Sequence, residues 1–284
     1  GILYVIDAVS ALIFGSITGN LADLFGRKRF CQFYNITTIL NLALRLTGDQ
    51  KLAYVAQVLT GVGAGLITTS FESWVVSESI KEFKTLEIER EKFLKKLFKT
   101  VNMYDAGISI ICSVLAALVY TVDGVLAPII LSIVFSIFAM IYIEINWGEN
   151  NLQIEKKSVA KCYSEAFKEL GKREVLTVGM CESLTNGVQS LFLFLWTPIL
   201  LASTPTQVNI GFVFLCIVSS IFCGTKLFEI NVIYLKLNQY LVLACCLLTI
   251  FLSLLTIYYV ELFVVRLVLF AGMNGLSGLY QPLY

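Results

Sequence analysis

Nine stretches of this chain are each apolar for about 20 residues, the length a helix needs to cross the hydrocarbon core of a bilayer. They run approximately over 3–24, 29–47, 52–77, 99–121, 124–146, 174–201, 209–228, 238–258 and 261–284. In hydrocarbon each backbone N–H and C=O must be satisfied within the segment, which a helix does on its own. The predicted class is therefore all-α and polytopic, with the lipid bilayer as its first partner. Composition agrees, because 57% hydrophobic and only 14% charged residues over 284 positions exceed what a soluble core can hide. Histidine is absent, which removes the usual catalytic base and zinc ligand. No P-loop, H-E-x-x-H, G-x-S-x-G or dinucleotide fingerprint is present, so no enzyme, cofactor or metal site is expected. Of the eight cysteines, Cys112, Cys216, Cys223, Cys245 and Cys246 lie inside apolar runs and read as small buried hydrophobes.

The charges sort the connections. Of 21 basic residues, 18 fall in alternate connections: Arg27 to Arg29, Lys81 to Lys99, Lys156 to Arg173, and Lys226 with Lys236. Only Lys51 lies in a loop of the other set, so the basic set is predicted to be cytoplasmic. A net charge of +1 without a basic patch implies no nucleic-acid partner. Residues 79–98 carry Phe83, Leu86, Phe93, Leu94 and Leu97 among charges, which suggests an amphipathic helix on the membrane surface or a solvated linker. Residues 147–173 are the longest connection and place a boundary between a first half, 1–146, and a second, 174–284. Asn35-Ile36-Thr37 is a glycosylation sequon on the cytoplasmic side, predicted to be unmodified. The chain begins and ends within apolar runs and is expected to be part of a longer one.

Between the first two runs stands Gly19-Asn20-Leu21-Ala22-Asp23-Leu24-Phe25-Gly26-Arg27-Lys28-Arg29. It resembles the G-x-L-A-D-x-x-G-R-K signature of the major facilitator superfamily of secondary transporters, at every defined position. That resemblance implies a twelve-helix fold in two six-helix halves, with the nine runs as its second to tenth helices. It also implies a gating role for the loop. Gly19 would permit close helix approach, Asp23 would offer a carboxylate to a helix N-terminus, Gly26 would permit the turn, and Arg27 and Lys28 would hold the cytoplasmic side.

Polar side chains inside the runs are costly in lipid and mark cavities or partners. Gln57, Gly61, Gly65, Thr68 and Glu72 fall at spacings of 4, 4, 3 and 4, on one helical face. Arg266, Asn274, Ser277 and Gln281 repeat the offsets of Gln57, Gly65, Thr68 and Glu72, a weak internal symmetry that repeat-built transporters show. Glu182, Asn186 and Gln189 form another stripe, and Asp105, Ser109 and Cys112 a fourth. Counted from the cytoplasmic ends, Glu72, Asp105 and Glu182 lie in the inner half of the membrane, and Asp7, Arg45, Gln57 and Arg266 in the outer half. Arg45 is near enough to a helix end to snorkel to the surface.

Ser70-Phe71-Glu72-Ser73-Trp74, Asn146-Trp147-Gly148-Glu149-Asn150 and Phe194-Leu195-Trp196-Thr197-Pro198 are similar to motifs of the eukaryotic molybdate-anion transporter branch, as is Gly278-Leu279-Tyr280 followed by Pro282. The resemblance implies a carrier of molybdate or a similar oxyanion, working by alternating access. A carrier of an organic solute such as a sugar, or a non-transporting receptor or scaffold, are the alternatives. Where the superfamily usually has an arginine ahead of the helix-four glycines, this chain has Gln57. That leaves Arg266 as the well-buried cation. Arg266, Asn274, Asn186 and Gln189, with Glu182, are the expected substrate site, since guanidinium and amide donors match a tetrahedral oxyanion. Glu72 and Asp105 are expected to couple or gate. The plasma membrane is the expected location.

Overall fold

The computed structural model describes residues 1–83, 87–149, 168, 171–201, 210–230, 251 and 262–280. Within helices, some side chains fall outside the description, among them Asp23, Thr68, Glu182, Asn186 and Gln189. The helices are α1 (Ile2–Phe25), α2 (Arg27–Leu46), α3 (Gln50–Leu66), α4 (Glu72–Glu82), α5 (Glu87–Asp123), α6 (Leu126–Asn146), α7 (Arg173–Leu201), α8 (Ile210–Ile230) and α9 (Phe263–Tyr280). A π turn, Ile67–Phe71, joins α3 to α4 without a break. No strand occurs among the described residues, so the chain is all-α. Eight of the nine apolar runs are found as helices; the run 238–258 lies outside the described residues except for Phe251.

Local chemistry sets the ends of α3. Asp49 caps it by accepting a hydrogen bond from the Lys51 backbone N–H at 2.7 Å, which satisfies an orphan donor of the first turn. From Glu87 the charged segment ahead of the fourth run is helical, and α5 carries it straight into the span as one element. It is an extension of the helix rather than a separate surface helix. Its 37 residues rise about 55 Å, well beyond the roughly 30 Å of hydrocarbon.

Packing divides the chain into Gly1–Lys99 with Val122–Ala166, and Thr100–Thr121 with Phe167–Tyr284. In the first unit α1 packs along α3, and α2 packs against both α3 and α6. The approach of α1 to α3 is glycine-to-glycine: a Cβ on Gly65 would stand 2.7 Å from Gly15 Cα, and one on Gly61 would stand 2.6 Å from the Asp7 carbonyl oxygen. In the second unit α9 packs on α8 and touches α7 around Phe192, Trp196, Leu200, Val213, Ile217, Phe270 and Met273. The rings of Phe192 and Phe270 meet edge to face at 5.1 Å.

Outside these seams the surfaces are apolar. Leu12, Ile17, Ile108, Ile130, Phe138 and Val264 are all exposed, a pattern that water penalises and lipid accepts. Cys112, Cys216 and Cys223 lie on such faces, exposed rather than buried as expected, because an outward face in a bilayer is as apolar as a core. By length and composition Ile2–Gly19, Gln50–Glu82 and Leu126–Asn146 can each span a membrane. Gly107–Asp123, Ser190–Leu200, Gly211–Leu227 and Phe263–Leu276 are shorter apolar helices.

Candidate functional site

The signature loop is a polar centre of the first unit. Gly26 ends α1 with φ 110°, a conformation that side chains resist, and its N–H reaches back to the Ala22 carbonyl at 3.0 Å. A Cβ there would also stand 2.6 Å from a Glu149 carboxylate oxygen. The glycine therefore serves two ends: it makes the turn and admits the carboxylate. Glu149 accepts from the Lys28 backbone N–H at 3.2 Å, a position at the start of α2 where the helix dipole favours an anion. Its second oxygen is 4.0 Å from Arg29 Nε, and its carbonyl accepts from Lys81 Nζ at 3.3 Å.

Around this anchor the other connections close. Buried Arg27 donates from Nη1 to the Ser73 carbonyl at 2.7 Å, tying the loop to α4. Lys28 Nζ reaches Glu144 on α6, at 3.1 Å to the carbonyl and 3.2 Å to the carboxylate. Gln32 donates to the same carboxylate at 3.1 Å. Trp74 stacks on Trp147 and donates its indole N–H to the Gly148 carbonyl at 3.0 Å. Phe71 meets Trp147 edge to face, and Tyr34 meets Phe71 in the same way. The three motifs Gly26 to Arg29, Phe71 to Trp74 and Trp147 to Glu149 thus form one cluster. In the sequence they stand far apart, and only their family likeness had joined them.

The remaining expected residues are distributed as follows. Gly19 faces Thr69 at an ordinary 4.0 Å, and the close helix approach falls one turn earlier, at Gly15 and Gly65. Glu149 stands as an anion at the N-terminus of α2, and the Asp23 side chain, expected in such a role, is outside the described residues. Gln57, Gly61 and Gly65 are buried along α3, but Glu72 is exposed. The π turn between them accounts for this, since one extra residue rotates the following helix by about 100° and breaks the α-helical stripe. Asp105 is exposed on α5. The sequon residue Asn35 is buried and donates to the Cys31 carbonyl at 3.0 Å, out of reach of a glycan.

In the second unit Asn274 is 1% exposed and donates back along α9 to the Phe270 carbonyl at 2.8 Å. Arg266 Nη1 donates to the Ile199 carbonyl at 3.1 Å, in the last turn of α7, where carbonyls run out of helical donors and a cation opposes the dipole favourably. Glu182, Asn186 and Gln189 lie on α7, with their side chains outside the described residues.

Residues 1–276 match the family model for sugar transporters with twelve transmembrane segments. The chain belongs to the major facilitator superfamily. It is an integral, multi-pass membrane protein. Among curated proteins it is similar to the molybdate-anion transporter of Takifugu rubripes, 23% identical over 254 residues, covering 81% of this chain and 52% of that protein. The Danio rerio molybdate-anion transporter is 24% identical over 256 residues, with 81% and 51% covered, and that of Xenopus tropicalis 22% over 232 residues, with 81% and 49% covered. The chain spans about half the length of these relatives.

Proposed function

We propose that the chain forms part of a secondary carrier that moves molybdate or a similar tetrahedral oxyanion by alternating access. The observation that carries this reading is the match of 81% of the chain to proteins named as molybdate-anion transporters. The chemistry suits it, because Arg266, Asn274, Asn186 and Gln189 would supply a guanidinium and amides to oxyanion oxygens, with Glu182 assigned to the same site. Glu72 and Asp105 are assigned to coupling, and Gly19, Asp23, Gly26, Arg27 and Lys28 to a gate on the basic-loop side. The halves are taken as 1–146 and 174–284, joined by 147–173, in the plasma membrane.

Uptake of labelled molybdate by cells expressing the full gene tests the reading. Molybdate accumulation that is lost in Arg266→Gln and Glu182→Gln, with protein still at the membrane, supports it. Accumulation of a sugar instead would favour the organic-solute carrier that the family description suggests. Uptake unchanged by both substitutions would favour a scaffold.

A further inference from the structure

We propose that Arg45 is a second oxyanion-binding guanidinium, built into the first unit by Asn41, Gln57 and Thr60. The inference rests on the oxyanion reading and adds a residue outside the site assigned there. A side chain on a helix leans towards the helix N-terminus, and α2 runs from the signature loop outward. Arg45 therefore reaches back along α2, one turn down to Asn41. Its Nε donates to Asn41 Oδ1 at 2.9 Å, and its Nη2 donates to Gln57 Oε1 at 2.8 Å and to Thr60 Oγ1 at 3.2 Å. Thr60 spends its own proton on the Ala56 carbonyl at 3.1 Å, so its oxygen is available as an acceptor.

The acceptors fix the plane of the guanidinium and leave one edge open. Nη1 has no partner among the described residues, and Arg45 is exposed. Two N–H donors on a held, planar cation are what a tetrahedral oxyanion takes. An acidic side chain of α1 stands near the same group. Asp7 lies within hydrogen-bonding reach of Gln57 and electrostatic reach of Arg45. Its buried Oδ1 has no partner among the described residues. The carboxyl group leaves Nη1 unoccupied.

The internal repeat supports the assignment independently. Gln57 stands at the offset that Arg266 occupies in the second half. Each repeat therefore has a guanidinium at that position, as the residue itself in α9 and as Arg45 docked on Gln57 in α3. The absence of arginine from α3 is made good from α2. The two differ in their bonds: Arg266 caps a backbone carbonyl, whereas Arg45 is held by side chains alone.

The test is calorimetric titration of the purified full-length gene product in detergent with molybdate, for wild type, Arg45→Gln and Thr60→Val. Loss of a charge-assisted pair should weaken binding roughly tenfold to a hundredfold in Arg45→Gln, and loss of one orienting bond roughly two- to tenfold in Thr60→Val. Wild-type affinity in a folded Arg45→Gln overturns the inference and leaves the carrier reading intact. If Arg45→Gln does not fold, Thr60→Val decides, and unchanged affinity there overturns it. A wild type that binds no molybdate overturns the carrier reading and this inference with it.

Discussion

The indole rings of Trp74 and Trp147 lie 3.9 Å apart and 15° from parallel, joining the first turn of α4 to the residue that follows α6. Trp147 also takes the edge of Phe71, so one ring serves two neighbours. This stack seats Glu149 beside the signature turn, two residues further on.

Replacing Trp147 by Leu should lower stability by roughly 0.5–1.5 kcal/mol beyond the area lost, the usual worth of an aromatic pair. Trp74→Leu should cost more, because its N–H bond to Gly148 goes as well. In the double variant the second substitution should cost less than it does alone, since the shared contact is already gone. Unfolding in mild detergent measures all three, and strict additivity would contradict the stack.

Gly26→Ala should cost on the order of 1–3 kcal/mol, from a positive φ and from the clash of a Cβ with the Glu149 carboxylate. Only the second part depends on Glu149. Glu149→Ala alone should cost at most about 1 kcal/mol, since its contacts with Arg29 and Lys81 are exposed. Combined with Gly26→Ala it should recover part of the glycine penalty. The same unfolding measurement gives the coupling, and no recovery would mean that φ alone makes this a glycine position.

The sequence revealed the helices because lipid demands long apolar runs, and eight of them recur as helices close to the expected bounds. It revealed Gly26 because a signature glycine before three basic residues points to a turn. It did not reveal Glu149 as the partner of Lys28, because that contact bridges 121 positions. The exposure of Glu72 was hidden by the π turn, which no spacing rule anticipates and which alters the register within one continuous helix. For Arg45 the place at a helix end pointed to snorkelling, and the residue is exposed there; hidden from the sequence were the acceptors that hold its guanidinium, Asn41 one turn back on α2 and Gln57 on α3.

Arg266 combines two jobs whose signatures differ. Its bond to the Ile199 carbonyl means that Arg266→Gln should lower stability by roughly 1.5–3 kcal/mol, the usual worth of a hydrogen bond from a charged donor. Arg266→Lys keeps the charge near that carbonyl and should restore most of the stability. It should not restore molybdate uptake, because a lysine lacks the planar fork. Thermal unfolding and uptake compared on the two variants separate the roles, and parallel recovery of both by lysine would assign the residue to capping alone.

Three glycines on one helix give an internal control for the α1 to α3 seam. A Cβ on Gly61 would meet Asp7 and Ala11 backbone atoms at 2.6 and 2.7 Å, and a Cβ on Gly65 would meet Gly15 Cα at 2.7 Å. Backbone cannot swing aside as a side chain can, so each alanine must push the helices apart, at about 1–3 kcal/mol. Gly63 lies on another face, where a Cβ would sit 3.7 Å from the Tyr34 ring in ordinary contact. There the lower chain entropy of alanine should prevail, and Gly63→Ala should be neutral or stabilising by up to about 1 kcal/mol. The three substitutions are chemically identical and lie within five residues, so differences in helix propensity cancel. Unfolding midpoints that fall for 61 and 65 and hold or rise for 63 confirm that the seam requires glycine. Three equal losses would mean that helix flexibility, and not the approach of Gly15 to Gly65, accounts for the glycines.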